Sequence, residues 1–152
     1  MGCDIHCYAE KRVDGQWQNL NTVSEDDGQT YLENDQRLTG GQDYGLFGLL
    51  SGVRREWEVR IIPDADMCVP EDASPEVNDE YERGYCDWHT EGWLNWQTLL
   101  DAQQDININV MMGKIEPSAK DGVEELMSGF KTIADHHNLN VREMRIVLWY
   151  DN

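Results

Sequence analysis

Residues 2–10 alternate strictly, with Cys3, Ile5, Cys7 and Ala9 on one side and Asp4, His6, Tyr8 and Glu10 on the other. A period of two predicts a β-strand, because successive side chains on a pleated strand point to opposite faces. Asp14-Gly15 is a hairpin signal, and Gln16-Trp17 starts the return strand. Residues 21–42 are polar and contain glycine, and read as a long loop. Asp43 is placed to cap a helix in which Leu46, Leu49, Leu50 and Val53 recur at helical spacing, with Gly45, Gly48 and Gly52 along another side. Residues 57–62 read as a short strand stopped by Pro63.

The second half continues in the same mixed style. Ser74-Pro75-Glu76 is a helix start, a capping serine before a proline, and Gly84 ends that helix. Residues 94–103 read as another helix. Ile106, Ile108, Val110 and Met112 alternate with Asn107 and Asn109, which predicts a strand. Ser118 opens a helix whose stripe is Val123, Leu126, Met127, Phe130, Ile133 and Ala134. Residues 144–150 form a terminal strand with Met144, Ile146, Leu148 and Tyr150 on one face. Arg145 shares the other face with Val147, Trp149 and Asp151, and is expected to point away from the core. This order predicts an α+β fold: a largely antiparallel sheet with three to four packed helices, as a single domain over residues 1–152.

Charge narrows the function classes. Thirty acidic against 12 basic residues give a formal net charge of -18. Such a surface repels phosphate backbones, so direct nucleic-acid binding is not expected, whereas mimicry of nucleic acid or capture of a basic protein is open. No stretch reaches the length of a membrane-spanning helix, and no signal peptide is expected. Met1-Gly2-Cys3 superficially suggests lipidation, but His6 stands where that pattern needs Ser or Thr. The four cysteines, Cys3, Cys7, Cys68 and Cys86, are expected as reduced thiols in a cytoplasmic setting.

One short pattern occurs twice: Cys3-Asp4-Ile5-His6 and Cys86-Asp87-Trp88-His89. Cys3 and His6 lie an odd number of positions apart, so on a strand they face opposite sides, and a zinc site from both C-x-x-H pairs would need a bulge. Asp4 and His6 share a face, and Asp87 with His89 would repeat that geometry if extended. These four could hold a divalent metal such as zinc, manganese or iron, which would activate water and clamp a phosphate. On this reading Asp4, His6, Asp87, His89 and Glu10 are the candidate catalytic residues. Tyr8, Trp88, Thr90 and Arg145 are the candidate ligand contacts. The bland alternative is a set of hydrogen-bonded Asp–His pairs that orient loops. Trp88, Trp93 and Trp96 could stack a nucleobase, but read first as packing. His136-His137 at a helix end reads as structural, and Gly40-Gly41 matches no phosphate-binding loop.

The opening Met1-Gly2-Cys3-Asp4-Ile5-His6, with Glu10 and Gly15-Gln16-Trp17, resembles a bacteriophage and prophage protein family that begins M-x-C-D-I-H and has no settled activity. The resemblance continues at Tyr44-Gly45-Leu46-Phe47 and Val53-Arg54. It extends from Ser74-Pro75-Glu76-Val77 to Asp87-Trp88-His89-Thr90 and Trp93-Leu94, and includes the ending Trp149-Tyr150-Asp151-Asn152. A P-R-G-L-P segment of that family is replaced here by Pro63-Asp64-Ala65-Asp66-Met67, which removes a cation. The resemblance implies an accessory phage protein in the cytoplasm of the infected bacterium, a context in which counter-defence roles are common. The expected functions are binding of a small phosphorylated or nucleotide-type ligand at the Asp/His site, with or without metal-dependent hydrolysis; an acidic inhibitor of a basic host protein or a nucleic-acid mimic; or a small virion or assembly component. A homodimer is compatible with the sequence but not required by it.

Overall fold

The computed structural model describes residues 2–39, 42–54 and 59–152. Strand β1 (Asp4–Val13) follows the alternating segment and turns at Asp14 and Gly15, with φ of 51° and 78°, into β2 (Gln16–Asn19). Positive φ at both central positions matches the right-handed twist of the flanking strands. A second hairpin, β3 (Val23–Asp26) and β4 (Gln29–Leu32), turns the same way at Asp27 and Gly28, with φ of 49° and 76°. Helix α1 (Tyr44–Ser51) is capped by Asp43, whose side chain accepts from the Leu46 N–H, and stops at Gly52 in the left-handed region. Helix α2 (Pro75–Gly84) is capped by Ser74. Strand β5 (His89–Asn95) runs directly into α3 (Trp96–Met111), followed by α4 (Ser118–His136) and β6 (Met144–Asp151).

The main sheet has the order β2-β1-β6-β5 and is antiparallel throughout. Its two faces are covered differently. Cys3, Ile5, Cys7 and Ala9 of the first strand segment join Met144, Ile146, Leu148 and Tyr150 in a core with residues of α1, α3 and α4. On the opposite face Tyr8, Val147 and Trp149 pack with Leu32 of β4 and Ala73 and Val77 at α2. The fold is therefore α+β, as the sequence predicts, with two cores on a central sheet.

Four segments differ from the sequence reading. The long loop contains the β3–β4 hairpin. The strand expected over 106–112 is the second half of α3: Ile106 is buried and continues the row Leu99 and Ala102, while Ile108 and Met112 are exposed. Four alternating apolar residues fit either period, and the helical one wins because only one of its sides meets the core. The helix expected from residue 94 begins at Trp96, because Leu94 is spent on β5. Residues 59–62 form no strand; the Ile61 and Ile62 N–H groups donate to Leu49 O and Leu50 O, at 2.9 and 3.1 Å, satisfying carbonyls at the end of α1. Trp57 and Gly40-Gly41 lie outside the described residues.

Beyond β2, the outer edge of β1 is closed by side chains. Asn34 accepts from the Cys7 N–H at 2.7 Å and donates to Ile5 O at 2.7 Å. Asn21 accepts from the Ala9 N–H and donates to Ala9 O, both at 3.0 Å. Backbone N–H groups of Leu20 and Asp35 complete the row on Ala9 O and Cys7 O. No helix among the described residues is long and apolar enough to cross a membrane.

Candidate functional site

The β1–β6 register sets Asp4 opposite Asp151 and His6 opposite Trp149. His6 Nε2 lies 2.8 Å from Asp151 Oδ2, and the Asp4 N–H donates to Asp151 Oδ1 at 3.4 Å. The Asp4 carboxylate accepts from the Gln42 amide. The Trp88 ring tilts over the imidazole with centroids 4.7 Å apart. Its indole N–H donates to Tyr81 O at 3.0 Å on the last turns of α2. Gly84 makes room for this, because a Cβ there would collide with the Trp88 indole. The sequence reading paired His6 with Asp4. The partner is Asp151, which adjacency along the chain could not reveal but an antiparallel register of the two terminal strands would.

The second motif does not join the first. Asp87 sits in a turn after α2, with its N–H donating to Gly84 O at 2.8 Å and its carboxylate exposed. It is not extended, so the D-x-H geometry is not repeated. His89 is opposite Tyr150 and stacks on its ring at 6.0 Å. Tyr150 faces the core that contains Ile5, whereas His6 lies beside Trp149 on the other face. The two histidines therefore lie on opposite sides of the sheet, and the four proposed ligands do not converge. Among the described residues no group of three or more His, Cys, Asp or Glu side chains is arranged to hold a metal. His89 Nδ1 pairs with Thr90 Oγ1 at 2.9 Å, and Thr90 has φ of 55° at the bulge between His89 and Gly92. For a β-branched residue that conformation stores strain. The bonding turns Thr90 toward its neighbour rather than into an open site.

Tyr8, Glu10 and Arg145 are also corrected. All three are buried, so Tyr8 and Arg145 are not open ligand contacts and Glu10 is not an open catalytic group. Burial, followed by the charge of Glu80, pushes the Tyr8 hydroxyl above the usual tyrosine range. Arg145 Nε donates to Glu10 Oε1 at 2.8 Å across the β1–β6 ladder, and Nη1 donates to Asp72 at 2.9 Å. The other Glu10 oxygen accepts from the Ser74 N–H at 2.6 Å, at the start of α2. The guanidinium carbon lies 4.1 Å from the Trp17 ring centroid and 5.7 Å from that of Trp93. Arg145 thus turns inward under α2, and the pair with Glu10 fastens that helix to the sheet. Cys3 and Cys7 are buried on the other face, where desolvation raises both thiols, so neither is a poised nucleophile. Trp96 packs on Phe130, away from Trp88 and Trp93.

The open chemistry lies elsewhere. Between positions 64 and 87 nine acidic side chains stand against the single cation Arg83. The adjoining hairpin adds Glu25, Asp26, Asp27 and Glu33 with no cation. Glu80 accepts from the Leu32 N–H at 3.0 Å and holds the two elements side by side. Glu76, Asp79 and Glu82 of α2 and Glu25, Asp26 and Asp27 of the hairpin are exposed. Val23 and Tyr31 of the hairpin and Tyr85 just after α2 are exposed as well. Two clefts of similar size lie among the described residues. One of about 490 Å³ is lined by Asn34, Asp35, Arg37, His136 and His137; burial and the neighbouring His136 lower the His137 pKa. The other, of about 470 Å³, lies beside β5 and is lined by Trp93 and the N-terminal half of α3. No family model matches the chain, and neither a curated protein nor a solved structure shows significant similarity to it.

Proposed function

We propose that this chain is a phage accessory protein that captures a basic protein of the infected bacterium on the surface built by α2 and the β3–β4 hairpin. The observation that carries this reading is the segregation of charge: α2 and the hairpin, joined by Glu80 and Leu32, carry exposed carboxylates and exposed Val23 and Tyr31, with Tyr85 following α2, and Arg83 is the one cation in these two elements. Long-range attraction steers a cationic partner to such a face, and aromatic side chains inside it supply the desolvated anchors that charge alone lacks. The alternative of a nucleotide hydrolase lacks a converged set of ligands, because His6 and His89 are on opposite sides of the sheet and Glu10 and Arg145 are spent on each other.

The test is binding of a lysine- and arginine-rich peptide to two triple variants of equal charge change. Glu76→Lys with Asp79→Lys and Glu82→Lys alters the α2 surface; Asp121→Lys with Glu124→Lys and Glu125→Lys alters exposed positions on α4. The α2 variant is expected to weaken binding by about tenfold or more, and the α4 variant by less than about threefold, with steep salt dependence in the parent. Equal losses would reduce the effect to net charge and sink the proposal.

A further inference from the structure

The cleft beside β5 is built at the point where strand becomes helix. Asn95 and Thr98 form a reciprocal capping box, which fixes the entry of α3 immediately after Trp93 and Leu94. This places Gln97, Asp101 and Asp105 along one wall, Arg60, Ile61, Pro63 and Asp66 along another, and the half-buried Trp93 between them. The lining has three carboxylates and one cation. That cation is already engaged: Arg60 Nε donates to Ile62 O at 2.9 Å, and a terminal nitrogen pairs with Asp64. Asp101 accepts from Gln97 at 2.8 Å, while the Asp66 carboxylate has no hydrogen-bond or ion-pair partner among the described residues. An indole wall with surplus carboxylates selects an organic cation. A planar guanidinium suits it best, because it stacks on an aromatic face and forks onto carboxylates.

The molecule uses the same recognition internally. Arg145 lies over Trp17 and Trp93 while bonding Glu10 and Asp72. The chain also leads from the cleft to the acidic surface, since Asp66 lines the cleft and the acidic run continues through Asp72 into α2. We infer that this cleft receives an arginine side chain of the basic partner, its guanidinium on Trp93 and within reach of Asp66, Asp101 and Asp105. The inference rests on the acidic-surface reading and names the anchor that surface needs. The volume of about 470 Å³ accommodates an arginine with part of its neighbouring chain.

Agmatine supplies the guanidinium without a peptide, and cadaverine is an amine of comparable length. Titration of each, followed by the indole N–H resonance of Trp93, is expected to give a saturable shift with agmatine and at least threefold weaker binding of cadaverine. Asp66→Asn with Asp105→Asn is expected to weaken agmatine by about tenfold, with the remaining resonances unmoved as proof of an intact fold. No saturable shift, equal affinity for the amine, or indifference to the double variant overturns the inference. If agmatine fails while peptide binding still depends on Glu76, Asp79 and Glu82, the arginine cleft falls and the acidic surface stands. If agmatine binds but the peptide ignores the α2 variant, the anchor role falls together with the acidic-surface reading.

Discussion

The two faces of the central sheet are made of the same two strands yet are held by different forces. Toward α1, α3 and α4, β1 and β6 present Ile5, Cys7, Ala9, Ile146 and Leu148, joined by Cys3 just before β1, and the packing is almost wholly apolar. Toward α2 and the β3–β4 hairpin the same strands present Tyr8, Glu10, Arg145 and Trp149. There a buried ion pair ties α2 at its start, and Glu80 ties it to β4 at Leu32. Apolar packing is non-directional, so the first face fixes which helices lie on the sheet. Charged hydrogen bonds are directional, so the second face fixes where one short helix sits and which way its carboxylates look.

The largest expected effect breaks the second face. Arg145→Ala leaves Glu10 charged and fully buried, and urea unfolding is expected to show a loss of about 3–5 kcal/mol. Glu10→Gln with Arg145→Met is expected to recover most of it, because two neutral partners leave no stranded charge. A cost for Arg145→Ala below that of an ordinary surface substitution would show that the ion pair does not hold α2. Asn34→Ala strips two partners from the backbone of β1 and is expected to cost about 1–3 kcal/mol in the same measurement. On the apolar face Ile146→Val removes one methylene from a fully buried position and is expected to cost about 0.5–1.5 kcal/mol, with no dependence on salt.

The smallest effect concerns pH. Burial, then the hydrogen bond and charge of Glu91, push the Tyr81 hydroxyl from 10.0 up to about 12. A pKa raised in the folded state contributes stability that is complete below the unfolded value and drains away as pH climbs through 10 toward 12. Glu91→Gln is expected to move the Tyr81 titration, followed by tyrosinate absorbance, back toward the ordinary range. A titration unchanged by that substitution would mean that burial alone sets the shift.

The sequence revealed most where one periodicity had no rival. The stripe of α4 from Val123 to Ala134, the alternation of β1 and β6, and the caps at Asp43 and Ser74 all appear in the structure. The β3–β4 hairpin was missed although Asp27-Gly28 repeats the chemistry of Asp14-Gly15, because its strands have four residues each and carry few apolar side chains to mark them. The candidate site was less legible. Asp4 and His6 do share a face, as alternation requires. That Asp151 rather than Asp4 pairs with His6, and that His89 faces the other way, follows from strand order and register. Likewise Arg145 was expected to point outward because alternation distinguishes two faces but not which of them is covered. The arrival of α2 over that face is a tertiary event.

The two asparagines along β1 also govern how the molecule meets its own copies. An unpaired strand edge is a template on which another chain can add a strand. Asn21 and Asn34, with the backbone N–H groups of Leu20 and Asp35, take up the donors and acceptors of Ile5, Cys7 and Ala9, so that edge offers an incoming backbone nothing to bind. The sheet ends where the asparagines begin, and growth into a fibre from this side is blocked in large part by two residues that contribute no bulk to either core.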